Sequence, residues 1–397
     1  MAAIFSAKAG AETLLLEGTR DGGRKILISG GGRCNVLPMH VDESRFVTDS
    51  SANTMRKMLR SWPLTEQMGF FEKELGIPLA SEPETDKLFP ASNKARDIRD
   101  GLLAHAARLG VTILTGTRVT NFVPIRDGWH VERERGEAID ADAVVVATGG
   151  LSVPATGSDG LGLQVLERLG HTVHPTYAAL TPLTANDEAF LALSGVSLTV
   201  ALSAESARRS STASGGFLFT HRGYSGPAVL NVSHVLVRAR AECDASSTLT
   251  VRWTSLGGAE WDVALRPQGG RTVIGALRAQ MPERVAAVLL GMASVEGTTR
   301  LSELRRDDRL RLIDSLVCTV LPWSGDEGFR KAEVTGGGVS LAEVNVKTLE
   351  SRRHSGLHVC GEVLDAFGPI GGYNFLWAWA TGRAAGIGAA REATTSS

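Results

Sequence analysis

The sequence predicts an α/β protein. A Rossmann-type dinucleotide-binding domain is built from both ends of the chain, and a β-rich domain with a small helical insert interrupts it. Three observations predict this fold class. A helix, a short apolar strand and an acidic residue open the chain, as in the second half of a βαβ dinucleotide unit. A β-branched run ends in Thr-Gly-Gly, and a late strand leads through CGEVLDAFGPIGGYN into a helix.

The first residues already belong to this unit. Residues 2–9 are rich in alanine and predict a helix that ends at Gly10, and residues 13–16 predict a buried strand that ends at Glu17. An acid there binds the adenosine ribose in dinucleotide folds, and a solvent-exposed loop acid is the alternative. The strand and glycine loop that should precede the helix are missing from the sequence. We therefore expect a reading frame that starts about 15–25 residues upstream, with a true truncation as the alternative.

The next motif, RKILISGGGRCNV at residues 24–36, combines a short apolar run with three consecutive glycines. Glycines let backbone N–H groups approach an anion or a ring closely, and Arg33 is suited to pair with a phosphate. The alternatives are a flexible turn for the glycines and a small buried apolar side chain for Cys34. Because three glycines alone are a weak signal, their interpretation depends on the motifs that follow.

Helices and strands continue to alternate up to residue 150. A helix with an apolar stripe is predicted at 97–109, a strand at 111–114, a hairpin arm at 128–132 and a buried parallel strand at 143–147. The last strand ends in ATGG, and open α/β sheets bind their ligands beyond the carboxyl ends of parallel strands. An ordinary turn after a strand is the alternative for this segment.

The segment CGEVLDAFGPIGGYN carries the strongest local signal. Gly361 follows the strand and leaves its end without a side chain, and Glu362 and Asp365 place acids close to it. Gly371 and Gly372 bring backbone amides to the start of the helix. The free N–H groups and the positive end of the helix dipole are suited to stabilise an anionic reduced flavin ring. A glycine-capped helix with surface acids is the alternative.

From about residue 180 the pattern changes to short alternating segments. Strands are predicted at 197–202, 217–220, 248–253 and 261–265. Helices are predicted at 273–292 and 301–317, with the charged stretch 305–311 as a solvated face. A polar loop, FTHRGYSGP, holds His221 and Tyr224 between glycine and proline and is a candidate to face a substrate, although a lone histidine is more often structural.

These segments predict three regions. The dinucleotide-binding domain comprises residues 1–180 and 330–397, with its first strand and GxGxxG loop missing. A β-rich, barrel-like domain comprises 181–268 and 316–340, and a helical insert comprises 269–315. Residues 393–397 are predicted to form a disordered tail.

Composition excludes several classes of protein. The formal net charge is -1 and the sequence pI is about 6.8, so bulk charge indicates neither nucleic-acid nor membrane binding. The four cysteines are widely separated, which argues against a disulfide framework, a zinc site or a redox-active dithiol, and no metal site is predicted. No signal peptide is evident, and no apolar run approaches the roughly 20 residues that span a bilayer. A cytoplasmic location is expected.

Six motifs together resemble one family. They are GRKILISGGGRCNV (23–36), KLFPASNKARDI (87–98), ATGG (147–150), FTHRGYSGPAVL (219–230), VTGGGV (334–339) and CGEVLDAFGPIGGYNFLWAWATGRAAG (360–386). Their order and content resemble the HI0933-like, or BaiN-like, bacterial NAD(P)/FAD-dependent oxidoreductases, over nearly the whole chain. The departure from the family is at the N-terminus, where the first strand and its glycine loop are missing.

The resemblance implies a glutathione-reductase-like FAD domain that is split by a β-barrel-like domain and a small helical bundle. The residues expected to contact FAD are Glu17, Lys25, Ser29, Gly31, Gly32, Arg33, Cys34, Asn35, Val119, Thr148, Gly149, Gly361, Glu362, Asp365, Gly372, Tyr373 and Asn374. The residues expected near the chemistry are His221, Tyr224 and Tyr373.

The function expected is that of an FAD-dependent oxidoreductase. It would reduce a small unsaturated or carbonyl-conjugated substrate at flavin N5 with electrons from NAD(P)H as a transient donor. Because no second GxGxxG unit is present, the nicotinamide would dock directly on the flavin. The alternatives are an oxidase of an amine or amino acid that uses O₂, and a truncated, flavin-poor protein without catalysis. The family leaves nucleic acid open as a partner, and membrane binding is not expected.

Overall fold

The computed structural model describes residues 1–82, 85–267 and 270–393. The chain forms two compact units. The first comprises Met1–Thr176 and the segment from Val334 onward, and the second comprises Tyr177–Glu333. The first unit is therefore built from two separate stretches of sequence. Beyond residue 393, the predicted disordered tail lies outside the described residues.

The helices at the start of the chain, after residue 95 and from Tyr373 are confirmed. The pattern at 273–292 forms two helices, α10 and α11, because Pro282 lacks the N–H that a continuous helix needs. The α-helices of the described residues are α1 (Ala2–Lys8), α2 (Arg24–Ile28), α3 (Ala52–Leu59), α4 (Leu64–Gly69), α5 (Ala95–Arg108), α6 (Leu161–Arg168), α7 (Glu188–Leu191), α8 (Pro227–Ala241), α9 (Gly258–Ala264), α10 (Val273–Leu277), α11 (Glu283–Ala293), α12 (Arg306–Val317) and α13 (Tyr373–Ala393).

The strands expected at 13–16, 111–114 and 143–147 are confirmed within one or two residues. The strands at 13–16 and 143–147 are only partly buried, with Leu14 38% exposed, and not buried as expected. The strands of the described residues are β1 (Leu14–Glu17), β2 (Leu37–Pro38), β3 (Leu79–Glu82), β4 (Lys87–Pro90), β5 (Thr112–Thr115), β6 (Val119–Ile125), β7 (Gly128–Arg133), β8 (Ile139–Ala141), β9 (Val144–Val146), β10 (Val173–Ala179), β11 (Leu183–Thr184), β12 (Ser197–Glu205), β13 (Ser210–Thr220), β14 (Gly223–Ser225), β15 (Thr248–Arg252), β16 (Thr319–Val320), β17 (Gly325–Asp326), β18 (Val334–Val339) and β19 (Leu357–Val359).

Two parallel strand pairs organise the first unit. Strand β1 pairs with β5, and β9 pairs with β19. In each pair the two strands come from distant parts of the sequence, as crossover connections require. Helix α13 packs on α1, where Gly386 lets its backbone approach Ala2. These contacts bring the early and late segments of the chain into one core.

Two small antiparallel sheets also belong to the first unit. One has the order β6-β7-β8, which includes the predicted hairpin arm, and the other has the order β2-β4-β3. The second of these carries the start of the motif KLFPASNKARDI on its central strand. It follows directly after the triple-glycine segment, because β2 begins at Leu37.

The second unit has one antiparallel sheet with the order β16-β15-β12-β13-β14-β11-β17. Buried and less buried residues alternate along β12, and α8 packs against β12 and β13. The pairing leaves β16 and β17 as edges, so the described strands form an open sheet and not the closed barrel that a barrel-like domain suggests. Helix α12 packs on α9 and α11, and its charged face, including Arg305 and Arg306, is exposed as expected.

The strand expected at 261–265 is wrong, because these residues lie in or next to helix α9. The carboxylate of Glu260 accepts a hydrogen bond from Gly257 N at 2.8 Å and so caps the start of the helix. Trp261 is fully buried and Val263 is 53% exposed, which a helix accommodates on its two faces. Five residues are too few for an alternating pattern to separate a strand from one helical turn. Among the described residues, no helix is long and apolar enough to cross a membrane.

Candidate cofactor site

The carboxyl end of β9 opens onto solvent. Val146 is buried, whereas Ala147 and Thr148, which follow it, are exposed. Gly149 has φ +72°, a conformation that favours glycine, and a side chain at Gly150 would collide with the Thr335 hydroxyl. The predicted ATGG turn thus presents its backbone beyond the end of a parallel strand, which is where ligands bind in open α/β sheets.

A polar network joins this turn to α2 and to the segment after β19. The Lys25 ammonium lies 2.5 Å from both Ser152 Oγ and Glu362 Oε2. Ser152 donates to Glu362 Oε1 at 2.6 Å, and Thr335 N donates to the same oxygen at 3.0 Å. Because Ser152 and Thr335 are buried and Lys25 and Glu362 are partly exposed, the network holds four segments together at the edge of the site.

The triple glycine forms a tight exposed loop after α2. Gly30, Gly31 and Gly32 have φ values of 55°, 67° and 86°, a run of left-handed conformations that only glycine adopts easily. A side chain at Gly31 would extend into open space, whereas one at Gly30 would lie 3.1 Å from the Phe89 ring. Ser29 Oγ donates to Ile26 O at 2.8 Å and fixes the start of the loop.

The side chains that follow the glycines differ in burial and in contacts. The Arg33 guanidinium lies 4.1 Å from the centre of the Phe89 ring and 3.0 Å from Glu82, on the exposed side of the loop. The Cys34 thiol is buried, and burial raises its pKa to about 12, so it is neither nucleophilic nor available to a ligand. Asn35 is also buried, and its amide is placed to hydrogen-bond Leu37 O and Gly372 N.

The start of α13 packs against the segment that follows the triple-glycine loop. A side chain at Gly372 would collide with the backbone of Leu37, and its φ of +87° also requires glycine. The hydroxyl of Tyr373 donates to His40 O at 3.2 Å, and the side chain of Asn374 makes two hydrogen bonds of 2.9 Å with the backbone of Gly368. In this structure the side chains of Tyr373 and Asn374 therefore hold protein segments, and the N–H of Gly372 is placed to donate to the Asn35 amide.

Asp365 is 2% exposed and acts in a similar way. Its Oδ2 accepts hydrogen bonds from Asp49 N and from the N and Oγ of Ser50, all at 2.8–3.0 Å. Nε2 of His174 lies 3.7 Å from the same oxygen. Burial raises the pKa of Asp365, while Ser50 and His174 oppose that rise. The carboxylate expected to bind the cofactor thus also anchors the loop at residues 48–50.

Glu17 lies at the end of β1, as predicted, and is partly buried. Its Oε1 accepts hydrogen bonds from the N and Oγ of Thr19 at 2.7 and 2.6 Å. The carbonyl of Glu17 accepts from Thr117 N at 2.9 Å, which brings the segment that leads into β6 and Val119 next to it. Two sequence-predicted contacts, Glu17 and Val119, are therefore neighbours around one strand end.

The two other residues expected near the chemistry, His221 and Tyr224, lie in the second unit. His221 is exposed at the turn between β13 and β14. The side chain of Tyr224 is completely buried, packs on the Phe217 ring at 5.6 Å and donates its hydroxyl to Pro322 O at 2.8 Å. Burial raises the pKa of Tyr224 well above its usual range. This placement argues against the catalytic role expected for Tyr224 and makes it a core residue.

The residues at the strand ends fit a dinucleotide with a flat ring. Gly31 and Gly361 are both left-handed, and nothing lies within 4 Å of the Cβ that another residue would add there, so a ring could approach either backbone closely. Lys25 and Arg33 supply cationic groups, each paired with a carboxylate in this structure, and Glu17 supplies a carboxylate at the end of β1. This donor set has the chemistry that the two phosphates, the ribose and the ring of FAD require.

Sequence reasoning missed Ser152 and Thr335, which complete the network around Glu362. Thr335 lies within the recognised motif VTGGGV, and Ser152 follows the recognised motif ATGG after one intervening residue. A small hydroxyl residue next to a glycine turn is a signal for such a role, but sequence does not show which distant acid it meets.

Comparison with known proteins identifies the family. The family described as HI0933-like protein Rossmann domain matches residues 1–388. A protein named ribosomal RNA dihydrouridine synthase from Haemophilus influenzae is 31% identical over 405 residues, which cover 97% of this chain and 94% of that protein. A protein named 3-dehydro-bile acid delta(4,6)-reductase from Clostridium scindens is 30% identical over 402 residues, which cover 99% and 96%.

Among solved structures, quinol-fumarate reductase with menaquinol superimposes with a TM-score of 0.50 and 14% identity, over 100% of this chain and 69% of that chain. At this identity the likeness concerns the fold alone. It agrees with the family match in confirming the predicted α/β fold class with an FAD-binding Rossmann domain. The motifs, the strand-end site and the match over 388 residues agree. The chain is an FAD-dependent oxidoreductase and belongs to the HI0933-like family.

Proposed function

We propose that this protein reduces a carbon–carbon double bond conjugated to a carbonyl group, with FAD as cofactor and NAD(P)H as the source of electrons. The observation that carries the proposal is the Clostridium scindens relative, which is 30% identical over nearly the full length of both chains and is named as a delta(4,6)-reductase. An open site at the strand ends, with room for a ring beside Gly31 and Gly361, supports the same proposal.

FAD, when bound, supplies two-electron chemistry at N5 of its ring. The chain's own residues would position it. Glu17 would accept hydrogen bonds from the ribose, and Lys25 and Arg33 would meet negative charge. The free N–H groups and dipole at the start of α13 would favour electron density on the nearby ring edge.

The electron donor would reach this site without a domain of its own. The parallel pairs β1–β5 and β9–β19 both lie in the first unit, which supports one strand-end site for flavin and donor. A nicotinamide would therefore have to bind against the flavin, transiently, before the substrate does. The donor and the substrate would then occupy the same face of the flavin in turn, and the kinetics would reflect this alternation.

Of the residues expected near the chemistry, His221 alone keeps a side chain that is exposed and available to a substrate. The hydroxyls of Tyr224 and Tyr373 are used in hydrogen bonds to backbone atoms. The role of His221 stays a prediction from the sequence, and we assign Tyr373 to the support of the helix start.

A second candidate substrate is a uridine in RNA. The Haemophilus influenzae relative and one from Escherichia coli, 29% identical over 394 residues, are both named ribosomal RNA dihydrouridine synthase. The uracil C5=C6 bond is conjugated to a carbonyl, so the chemistry is the one proposed above and only the recognition differs. The overall charge of the chain does not favour a polyanion.

An anaerobic half-reaction experiment tests the proposal. The purified protein is loaded with FAD, reduced with NADPH, and mixed with a 4-ene-3-keto steroid, with uridine-containing RNA, or with buffer containing O₂. We expect rapid return of the oxidised flavin spectrum with one of the two unsaturated compounds and a mass gain of two hydrogens in that compound. Reoxidation by O₂ alone, with amine turnover, would favour the oxidase alternative, and failure to retain flavin would favour the flavin-poor one.

A further inference from the structure

The motif KLFPASNKARDI has no part in the proposed function so far. Its first four residues form β4, the central strand of the sheet β2-β4-β3. Its Phe89 side chain is 3% exposed and lies against the triple-glycine loop, 3.1 Å from the position of a Cβ on Gly30. The sheet is therefore a wall beside the loop that we expect to lie along the ring.

Lys87 shares the face of the sheet that meets this loop. Side chains alternate along a strand, so Lys87 and Phe89, two positions apart, lie on the same face. Glu82 of β3 is directly opposite Lys87 in the register, and its carboxylate pairs with Arg33. Arg33 in turn stacks on Phe89. One face thus gathers an ammonium, a guanidinium, a carboxylate and an aromatic ring next to Gly30–Gly32.

The charged groups of this cluster differ in their hydrogen-bond and ion-pair partners. The Glu82 carboxylate accepts hydrogen bonds from Arg33 at 3.0 Å and from Thr85 at 2.5 Å. Among the described residues, the Lys87 ammonium makes no hydrogen bond or ion pair within the distances that define them. It is half-buried, and burial lowers its pKa, an effect that Glu82 opposes and Arg33 increases. The cluster therefore holds an amine that loses its proton more readily than a surface lysine does.

We propose that Lys87 is the acid that protonates the substrate in the reductive reaction. The inference rests on the proposed function. In that reaction the carbon β to the carbonyl gains a hydride, which the reduced cofactor supplies, and the π electrons of the double bond move to form an enolate. A proton then passes from Nζ of Lys87 to the α carbon, where a C–H bond forms as the N–H bond breaks. Lys87 is left as a neutral amine and regains a proton from water.

The alternative role for Lys87 is purely electrostatic. An ammonium beside Arg33 would also attract an anionic group of a substrate or cofactor, and it would need no proton transfer to do so. Arginine separates the two roles, because it keeps the positive charge but does not release a proton near neutral pH. A proton donor fails when replaced by arginine, whereas an anion-binding group tolerates it better.

The kinetic test compares Lys87→Gln and Lys87→Arg with Lys94→Gln, a matched change at an exposed lysine of the same motif. Flavin reduction by NADPH and flavin reoxidation by the unsaturated substrate are followed separately. We expect reduction at the wild-type rate in all variants. Reoxidation should be slower by about 100- to 10,000-fold in both Lys87 variants, with loss of the alkaline limb of its pH profile. Normal reoxidation in Lys87→Arg would overturn the proposal.

A second measurement needs no turnover. The FAD-loaded protein is labelled with acetic anhydride over a range of pH, and mass spectrometry follows acetylation of each lysine. We expect Lys87 to reach half-maximal labelling at a lower pH than Lys94. Equal titration of the two lysines would overturn the acid assignment even if the reductase activity is found. A low-titrating Lys87 in a protein that no unsaturated compound reoxidises would instead refute the proposed function.

Discussion

Two loops rich in glycine and polar residues show how differently similar sequences are used. The loop at residues 29–35 exposes its glycine backbone and places charged side chains at its rim. The loop at 219–227 buries Phe219 and Tyr224 completely and exposes His221 and Arg222 at its turn. The difference lies in the flanking strand, since alternate aromatic residues at 217 and 219 belong to a core face and carry Tyr224 into it. A polar loop indicates a functional site only when its neighbours do not supply a core.

The largest expected effect on stability concerns Tyr224 in the loop at 219–227. Tyr224→Ala would remove a ring from a cluster that includes Phe190 and Phe217 and should lower the free energy of unfolding by roughly 3–5 kcal/mol. Tyr224→Phe keeps the ring and loses the hydrogen bond to Pro322 O, at a cost of about 1 kcal/mol. Urea unfolding measures both. A stable Tyr224→Ala protein with impaired substrate reduction would reverse our assignment and restore a role in the chemistry.

Two glycines of the first unit allow the stability cost of an added side chain to be compared at an exposed and at a packed backbone position. Gly372→Ala forces a Cβ against Leu37 in a left-handed conformation, which should destabilise the protein by roughly 2–5 kcal/mol and lower the FAD content. Gly31→Ala meets no atom within 4 Å, so its cost is limited to the conformational one of about 1–2 kcal/mol. Unfolding free energies that are equal for the two variants would contradict this distinction.

The smallest expected effect concerns pH and an ion pair of the first unit. Hydrogen bonds from Arg353 lower the pKa of Glu343 from 4.5 to about 2, despite partial burial, and Thr172 contributes to the lowering. Since the folded pKa is the lower one, this stabilisation is complete above about pH 4.5 and is lost as the pH falls toward 2.

Glu343→Gln should therefore reduce stability at neutral pH and flatten its decline over the acid range. Urea unfolding at a series of pH values measures this, with Glu188→Gln at the start of α7 in the second unit as the control. An unchanged acid dependence in Glu343→Gln would show that other carboxylates account for acid sensitivity.

Much of the fold follows from local sequence. The strand before Gly361 is buried, and the β-branched run at 143–147 is buried at Val146 and partly exposed elsewhere. The glycines that follow the two strands predict where the site opens. The helix α9 was missed because Trp261–Leu265 is too short to show a period, and its cap depends on Glu260 reaching back to Gly257.

The candidate site was predictable in its backbone and less so in its side chains. Glycine positions mark where a ligand can approach, since only they adopt the required φ values. Cys34, Asp365 and Asn374 were expected to face the cofactor, yet each is turned toward protein, because a polar group near a ligand also has to be held in place. Lys25, Ser152 and Glu362 meet only through tertiary folding, and no spacing in the sequence records their contact.

That contact has a consequence for how the protein is made. Lys25 and Glu362 are separated by 337 positions, and the whole second unit lies between them in sequence. At a ribosomal rate of about 5–20 residues per second, roughly 20–70 s pass between synthesis of the two partners. During that interval the early half of the cofactor site, including the triple-glycine loop, lacks its partner segments, while the whole second unit is synthesised. The cofactor can therefore load only onto a chain that is nearly finished, and the nascent early segment is the part that most needs protection from aggregation.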